Sequence, residues 1–220
     1  MRYLIVNADD FGYSFSVNKG IIEAHTKGIV TSTTVLIDGI AAEEASELSQ
    51  YKDLSVGLHF FPKSLDEVQE ELERQVKKFE SIVGRTPDHI DTHKRMPTED
   101  EEIEKLLREY SKKNKIPVRG ISDVKFIKSF YGTRELKEEN VSIDALKRAI
   151  DEATDEFNEL MTHAGYSDDY MRENSSYNDI REKELEAVLS PEAKAYIDSK
   201  EGLKLCNWNL VRKQQFLEEN

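Results

Sequence analysis

Short β-branched runs that stop at ionisable residues, each followed by a stretch of helical spacing, limit this chain more than any other feature. Tyr3–Val6 runs into Asn7-Ala8-Asp9-Asp10, Ser55–Phe60 carries His59 near its end, His89–His93 holds Asp91 and His93, and Leu160–His163 closes on an imidazole. Ile29–Leu36 is a further run of the same kind, and Pro117–Ser122, Val124–Ile127 and Leu203–Asn207 are weaker ones. Between them the spacing predicts helices over Ser16–Gly28, Ala41–Ser49, Ser64–Val83, Thr98–Tyr110, Ser142–Phe157, Asp179–Leu189 and Ser190–Ser199, with a polar loop from Ala164 to Asn178. Alternation of this kind specifies an α/β fold with mostly parallel strands.

The best-defined helix is Ser64–Val83. Leu65, Val68, Leu72, Val76, Phe79 and Val83 recur every third or fourth position and make one apolar stripe. Ser64 and Glu67 have the spacing of a capping box, and Gly84 stands where a C-cap belongs. Seven or eight strands with intervening helices suggest a closed or partly closed (β/α) barrel, TIM-barrel-like, with an open doubly wound sheet as the alternative. No repeat, linker or low-complexity stretch divides residues 1–220, so one domain is expected.

Charge narrows the partners. The net charge is −13, which repels phosphate backbones and anionic membranes. Lys112–Lys113 is the longest basic run, so nucleic acid is not an expected partner, and no apolar segment is long enough to span a bilayer. The single cysteine, Cys206, excludes an internal disulfide and reads as a small buried residue; a reducing, cytoplasmic setting is expected. A neutral or weakly charged small molecule fits such a surface best.

In a barrel the C-terminal strand ends share one face, and that face carries the chemistry. Asp9, Asp10, His59, Asp91, His93 and His163 would all gather there. A carboxylate with two imidazoles binds a metal and leaves positions open for water and substrate. A free carboxylate can then take a proton from the water, and a further histidine can return one to a leaving amine; Asp9 and His163 are the candidates. Arg119 would orient Asp9 or contact substrate. His25 and His89 fit no site and read as structural or exposed. Asp10-Phe11-Gly12 also has the form of a kinase metal-binding motif, but neither a Gly-rich loop nor a Val-Ala-x-Lys segment precedes it. A degenerate sugar-binding protein and a His/His/carboxylate Fe(II) oxygenase remain as rivals.

These blocks resemble the YdjC-like carbohydrate deacetylases. The resemblance is carried by Leu4-Ile5-Val6-Asn7-Ala8-Asp9-Asp10-Phe11-Gly12, Val17-Asn18-Lys19-Gly20-Ile21, Thr31-Ser32-Thr33, Val56-Gly57-Leu58-His59 and Pro87-Asp88-His89-Ile90-Asp91-Thr92-His93. Pro117-Val118-Arg119, Glu159-Leu160-Met161-Thr162-His163-Ala164-Gly165-Tyr166, Ser175-Ser176-Tyr177 and Arg181-Glu182 continue it in order. The resemblance implies a distorted (β/α) barrel that removes acetyl groups from N-acetylated sugars such as chitooligosaccharides. It implies one divalent metal ion, Mg2+ or Zn2+, on Asp10, His59 and His93, with Asp9 as base and His163 as acid, and a homodimer as a common assembly. Two departures stand out. Lys94-Arg95 follows His93 where relatives have Gln-His, and Phe61-Pro62-Lys63 is a shorter link to the next helix than the family usually carries.

Overall fold

The computed structural model describes residues 1–62, 67–93, 97–132 and 138–216. In chain order it contains β1 (Arg2–Phe11), α1 (Phe15–Lys27), β2 (Ser32–Val35), β3 (Ser55–Phe60), α2 (Val68–Val83), β4 (Ile90–Thr92), α3 (Glu101–Asn114) and β5 (Lys125–Ile127). There follow α4 (Ile143–Asp151), β6 (Phe157–Thr162), α5 (Asp169–Asn174), α6 (Ile180–Leu189), α7 (Pro191–Ser199), β7 (Leu203–Leu205) and α8 (Trp208–Phe216).

Every pairing in the sheet is parallel, in the order β4-β3-β2-β1-β6-β5, with β7 alongside the start of β1. The result is a half-barrel of parallel strands with helices packed on it, partly closed as the alternating pattern allowed and distorted as the resemblance implied. Its central strand is buried from Leu4 onward: Leu4, Ile5, Val6, Ala8 and Phe11 are all inaccessible to solvent. A parallel strand covered on both faces reads as a continuous apolar run for this reason.

Local chemistry sets the helix ends. The Ser14 hydroxyl caps α1 by accepting from Val17 N at 3.2 Å. Asp100, rather than Thr98, caps α3, accepting from the amides of Glu102 and Ile103. Gly84 closes α2 in the left-handed conformation at φ +79°, as its position predicts. The Ser64 cap lies outside the described residues.

Several expected elements differ. The helix expected over Ser142–Phe157 stops at Asp151, because Phe157 begins β6 and pairs with Tyr3 of β1. Its apolar spacing belongs to the helix only as far as Ile150. The Ala41–Ser49 segment is a 3-10 helix over Ala42–Gln50. Pro117–Ser122 is not a strand: Val118 makes one bridge to Ile90, and the chain then turns at Gly120, φ +76°. The loop after Ala164 contains α5, and a final helix, α8, was not foreseen. That helix matters, because Trp208 seals the lower end of the sheet with Ile5, Val124, Phe157 and Val211. Among the described residues no helix is long and apolar enough to cross a membrane.

Candidate active site

Asp9 and Asp10 are neighbours in one strand, and an extended backbone would send their side chains to opposite faces. The register of β1 on β2 slips between Ala8 and Phe11, and Asp10 takes φ +74°. Aspartate tolerates this left-handed conformation better than most residues. The bulge re-aims the chain so that both carboxylates end beside His59. His59 comes from the end of β3, and His93 follows β4, its amide donating to Phe60 O at 2.9 Å.

The three residues form a tight triangle. Asp10 Oδ1 lies 3.2 Å from His59 Nε2 and 3.2 Å from His93 Nδ1, and the two nitrogens are 3.0 Å apart. Asp10 Oδ1 is buried and makes no hydrogen bond of ordinary geometry among the described residues. Ligand atoms about 2.1 Å from a shared ion stand about 3.0 Å apart at right angles and about 3.4 Å apart at tetrahedral angles. The spacing and the orphaned oxygen therefore fit a metal ion.

A further layer fixes the ring of His59. Its Nδ1 is 2.6 Å from Asp91 Oδ1, and Thr34 Oγ1 donates to Asp91 Oδ2 at 2.9 Å. Imidazoles that ligate metals commonly give their other N–H to a carboxylate, which directs the free lone pair at the ion. Burial opposes a charge on His59, but Asp91, Asp10 and Asp9 outweigh it and raise its pKa to about 10. The cluster thus calls for positive charge at this point.

Arg119 lies beneath the site, 2% exposed. Its Nη1 donates to Asp9 Oδ2 and approaches Asp91 Oδ2, both at 2.8 Å. Its Nη2 donates to Asp9 Oδ1 at 2.8 Å and Glu159 Oε1 at 3.0 Å, and Nε donates to Glu159 Oε2 at 2.9 Å. Every N–H of the guanidinium is spent on a carboxylate. Both oxygens of Asp9 are thus held by the one guanidinium. Asn7 Nδ2 adds a bond to Asp9 at 2.8 Å. Burial resists the charge on Asp9, yet Arg119 prevails and holds the carboxyl well below its ordinary range.

His163 follows β6 and lies against the stacked pair Tyr131 and Tyr177, with ring centroids at 5.2 and 5.3 Å. Its Nδ1 is buried and has no hydrogen-bond partner among the described residues. Burial lowers its pKa, partly offset by Asp10, Glu184 and Asp9. Glu184, fully buried, accepts from the Thr162 hydroxyl at 2.7 Å, the His163 amide at 2.5 Å and the Tyr177 hydroxyl, and so pins this segment. Gly20 permits the same segment to press on α1: a Cβ there would stand 2.6 Å from Gly165 Cα.

The fold thus brings together Asp9, Asp10, His59, Asp91, His93 and Arg119, and places His163 next to them across Arg181. Arg181, Thr34, Asn7, Glu159 and Glu184 were not singled out as site residues. His89 is buried, and neither ring nitrogen has a hydrogen-bond partner among the described residues. It stacks on Trp208 at 4.9 Å and presses on Gly57, where a Cβ would meet its ring at 2.5 Å. Lys94 and Arg95 lie outside the described residues.

Known proteins are similar to this chain in sequence or in fold. A chitooligosaccharide deacetylase of Serratia marcescens is 33% identical over 89% of this chain and 94% of its own length. A carbohydrate deacetylase of Geobacillus stearothermophilus is 31% identical over 86% of this chain and 90% of its own. Among solved structures, an Enterococcus faecalis V583 protein assigned by name to cellobiose-phosphate cleavage superposes with a TM-score of 0.81 at 26% identity, covering 96% of this chain and 98% of that one. A family 4 acetyl xylan esterase of Clostridium thermocellum, solved with a cobalt ion, has the same fold at a TM-score of 0.57 and 10% identity, over 97% of this chain and 92% of that one. The model of the YdjC-like protein family matches residues 3–61 and 60–199, a span that takes in every residue of the cluster, and the chain belongs to that family.

Proposed function

We propose that this protein is a metal-dependent carbohydrate deacetylase that hydrolyses the acetamide of a small N-acetylated sugar. The triangle of Asp10, His59 and His93 at 3.0–3.2 Å carries the reading. The deacetylase names of its relatives in Serratia marcescens and Geobacillus stearothermophilus support the reaction class. Asp10, His59 and His93 would hold one divalent ion; two imidazoles favour zinc, while the carboxylate also suits magnesium. Such an ion lowers the pKa of water and polarises a carbonyl.

The chain's own groups supply the rest. Asp91 keeps the proton of His59 on Nδ1, so that Nε2 offers a lone pair. Asp9, held ionised and oriented by Arg119, accepts a proton from the attacking water. His163 delivers a proton to the leaving nitrogen as the carbon–nitrogen bond breaks. Burial keeps His163 neutral at rest, so the proton that Asp9 takes from the water passes on to His163 before the amine leaves. We take residues 1–220 as a single domain of this kind, and the lone Cys206 supports a reducing, cytoplasmic setting.

The test is acetate release from N-acetylated chitooligosaccharides by protein loaded with zinc or magnesium. The Asp9→Asn protein is the control. Release well above the control is expected; equality with it across a panel of sugars would leave only a sugar-binding role.

A further inference from the structure

We propose that Arg181 is a positioning residue: it clamps the outer oxygen of Asp10, so that this carboxylate offers a single oxygen to the metal, and it locks that geometry to the His163 segment. The inference rests on the metal reading above and concerns a residue outside the ligand set.

Four observations converge on it. Arg181, on the first turn of α6, is 2% exposed, and its Nη2 donates to Asp10 Oδ2 at 2.5 Å. Its Nε donates to Tyr177 O at 2.9 Å, and Nη1 reaches toward His163 O at 3.5 Å. The guanidinium is flanked by the rings of Tyr13 and Tyr177, with centroids at 5.8 and 5.7 Å. The backbone of Arg181 completes the connection, its carbonyl accepting from Gly165 N at 3.3 Å.

The physical consequence follows from the two oxygens of Asp10. Oδ1 faces His59 and His93, while Oδ2 is already bound to a cation. A carboxylate with both oxygens free can rotate, or close on an ion with both. The arginine fork removes those options and leaves one oxygen at a fixed angle. Through Tyr177 O and His163 O the same side chain measures the distance between the metal ligand and the proposed acid. Partners of metal ligands of this kind commonly change metal affinity or activity by about 10–100-fold when removed.

The experiment uses full-length wild type, Arg181→Met and Arg181→Lys, with zinc as the probe in competition with a chromophoric chelator. Folding is checked by near-ultraviolet circular dichroism. Arg181→Met should bind zinc about 10–100-fold more weakly than wild type. Arg181→Lys, which keeps charge but not the fork, should recover only part of that loss. With zinc saturating, kcat should stay depressed in both while KM changes little, because the His163 segment has lost its side-chain link to Asp10. A folded variant that binds zinc within about twofold of wild type overturns the inference, and Arg181→Lys serves if the methionine protein does not fold. Wild-type protein that binds no zinc sinks the underlying metal reading and this inference together.

Discussion

Arg119→Met tests how the buried charges are balanced. The guanidinium holds Asp9, Asp91 and Glu159, all between 0 and 2% exposed. Without it Asp9 keeps Asn7 Nδ2 at 2.8 Å, Asp91 keeps Thr34 and His59, and Glu159 keeps Trp208 Nε1 at 3.2 Å. Breaking a buried pair on one side costs about 3–5 kcal/mol. The variant has one escape, which is to protonate a carboxylate, and that caps the loss. Glu159 is the group to take the proton, since burial already raises its pKa despite Arg119. Protonating a carboxyl of ordinary pKa near 4.3 at pH 7 costs about 1.4 kcal/mol per pH unit, or roughly 3–4 kcal/mol.

The sign follows from linkage. A carboxyl whose folded pKa is raised binds more protons folded than unfolded, so its stability is present at low pH and lost as pH rises through the folded value. The deficit of Arg119→Met should therefore be roughly 3–4 kcal/mol at pH 7 and about 1 kcal/mol at pH 5. Urea unfolding of wild type and variant at both pH values, with chelator present, measures it. A deficit that is equal at the two pH values, or below about 1 kcal/mol at pH 7, refutes the reasoning.

Four further outcomes are expected. Asp91→Asn should weaken zinc binding by about 10–100-fold through the loss of its charged bond to His59 Nδ1 at 2.6 Å, and unchanged affinity in a chelator competition would count against that role. Because the pKa of His59 in the metal-free protein is raised to about 10, metal uptake at pH 7.5 should release about one proton, seen by calorimetry in two buffers of different ionisation enthalpy. The same shift makes His59 stabilising below its unfolded value of about 6.5, a contribution lost as pH rises toward 10, so metal-free protein should weaken across that range. Gly20→Ala places a Cβ 2.6 Å from Gly165 Cα and should cost about 1–3 kcal/mol in thermal unfolding, with a larger fall in kcat than in zinc affinity.

The strand ends were legible in sequence because burial writes most of β1 and β3 as apolar runs that stop where polar chemistry begins. Their convergence could be argued from the α/β pattern, since parallel strands put their C-terminal ends on one side. What could not be read was pairing across distance. Nothing local in Pro117-Val118-Arg119 says that one bridge to Ile90 will carry Arg119 under the site. Arg181 and Glu184 lie in a charged helix whose periodicity looks like any solvated face, yet both are buried. Phe157 was assigned to a helix because it sits seven residues after Ile150, and only its partner Tyr3 makes it a strand. Trp208 was invisible for the same reason: its role is to fill the end of a sheet assembled from distant segments.

The bulge at the end of β1 places a demand on heredity as well as on geometry. At φ +74° the main chain at position 10 admits glycine, asparagine, aspartate and histidine more readily than most other residues. Of those four, only aspartate brings an anionic ligand. Glutamate would be a respectable donor elsewhere, but its backbone resists this turn. The identity of residue 10 is thus chosen twice, by the peptide and by the negative charge that the ion calls for.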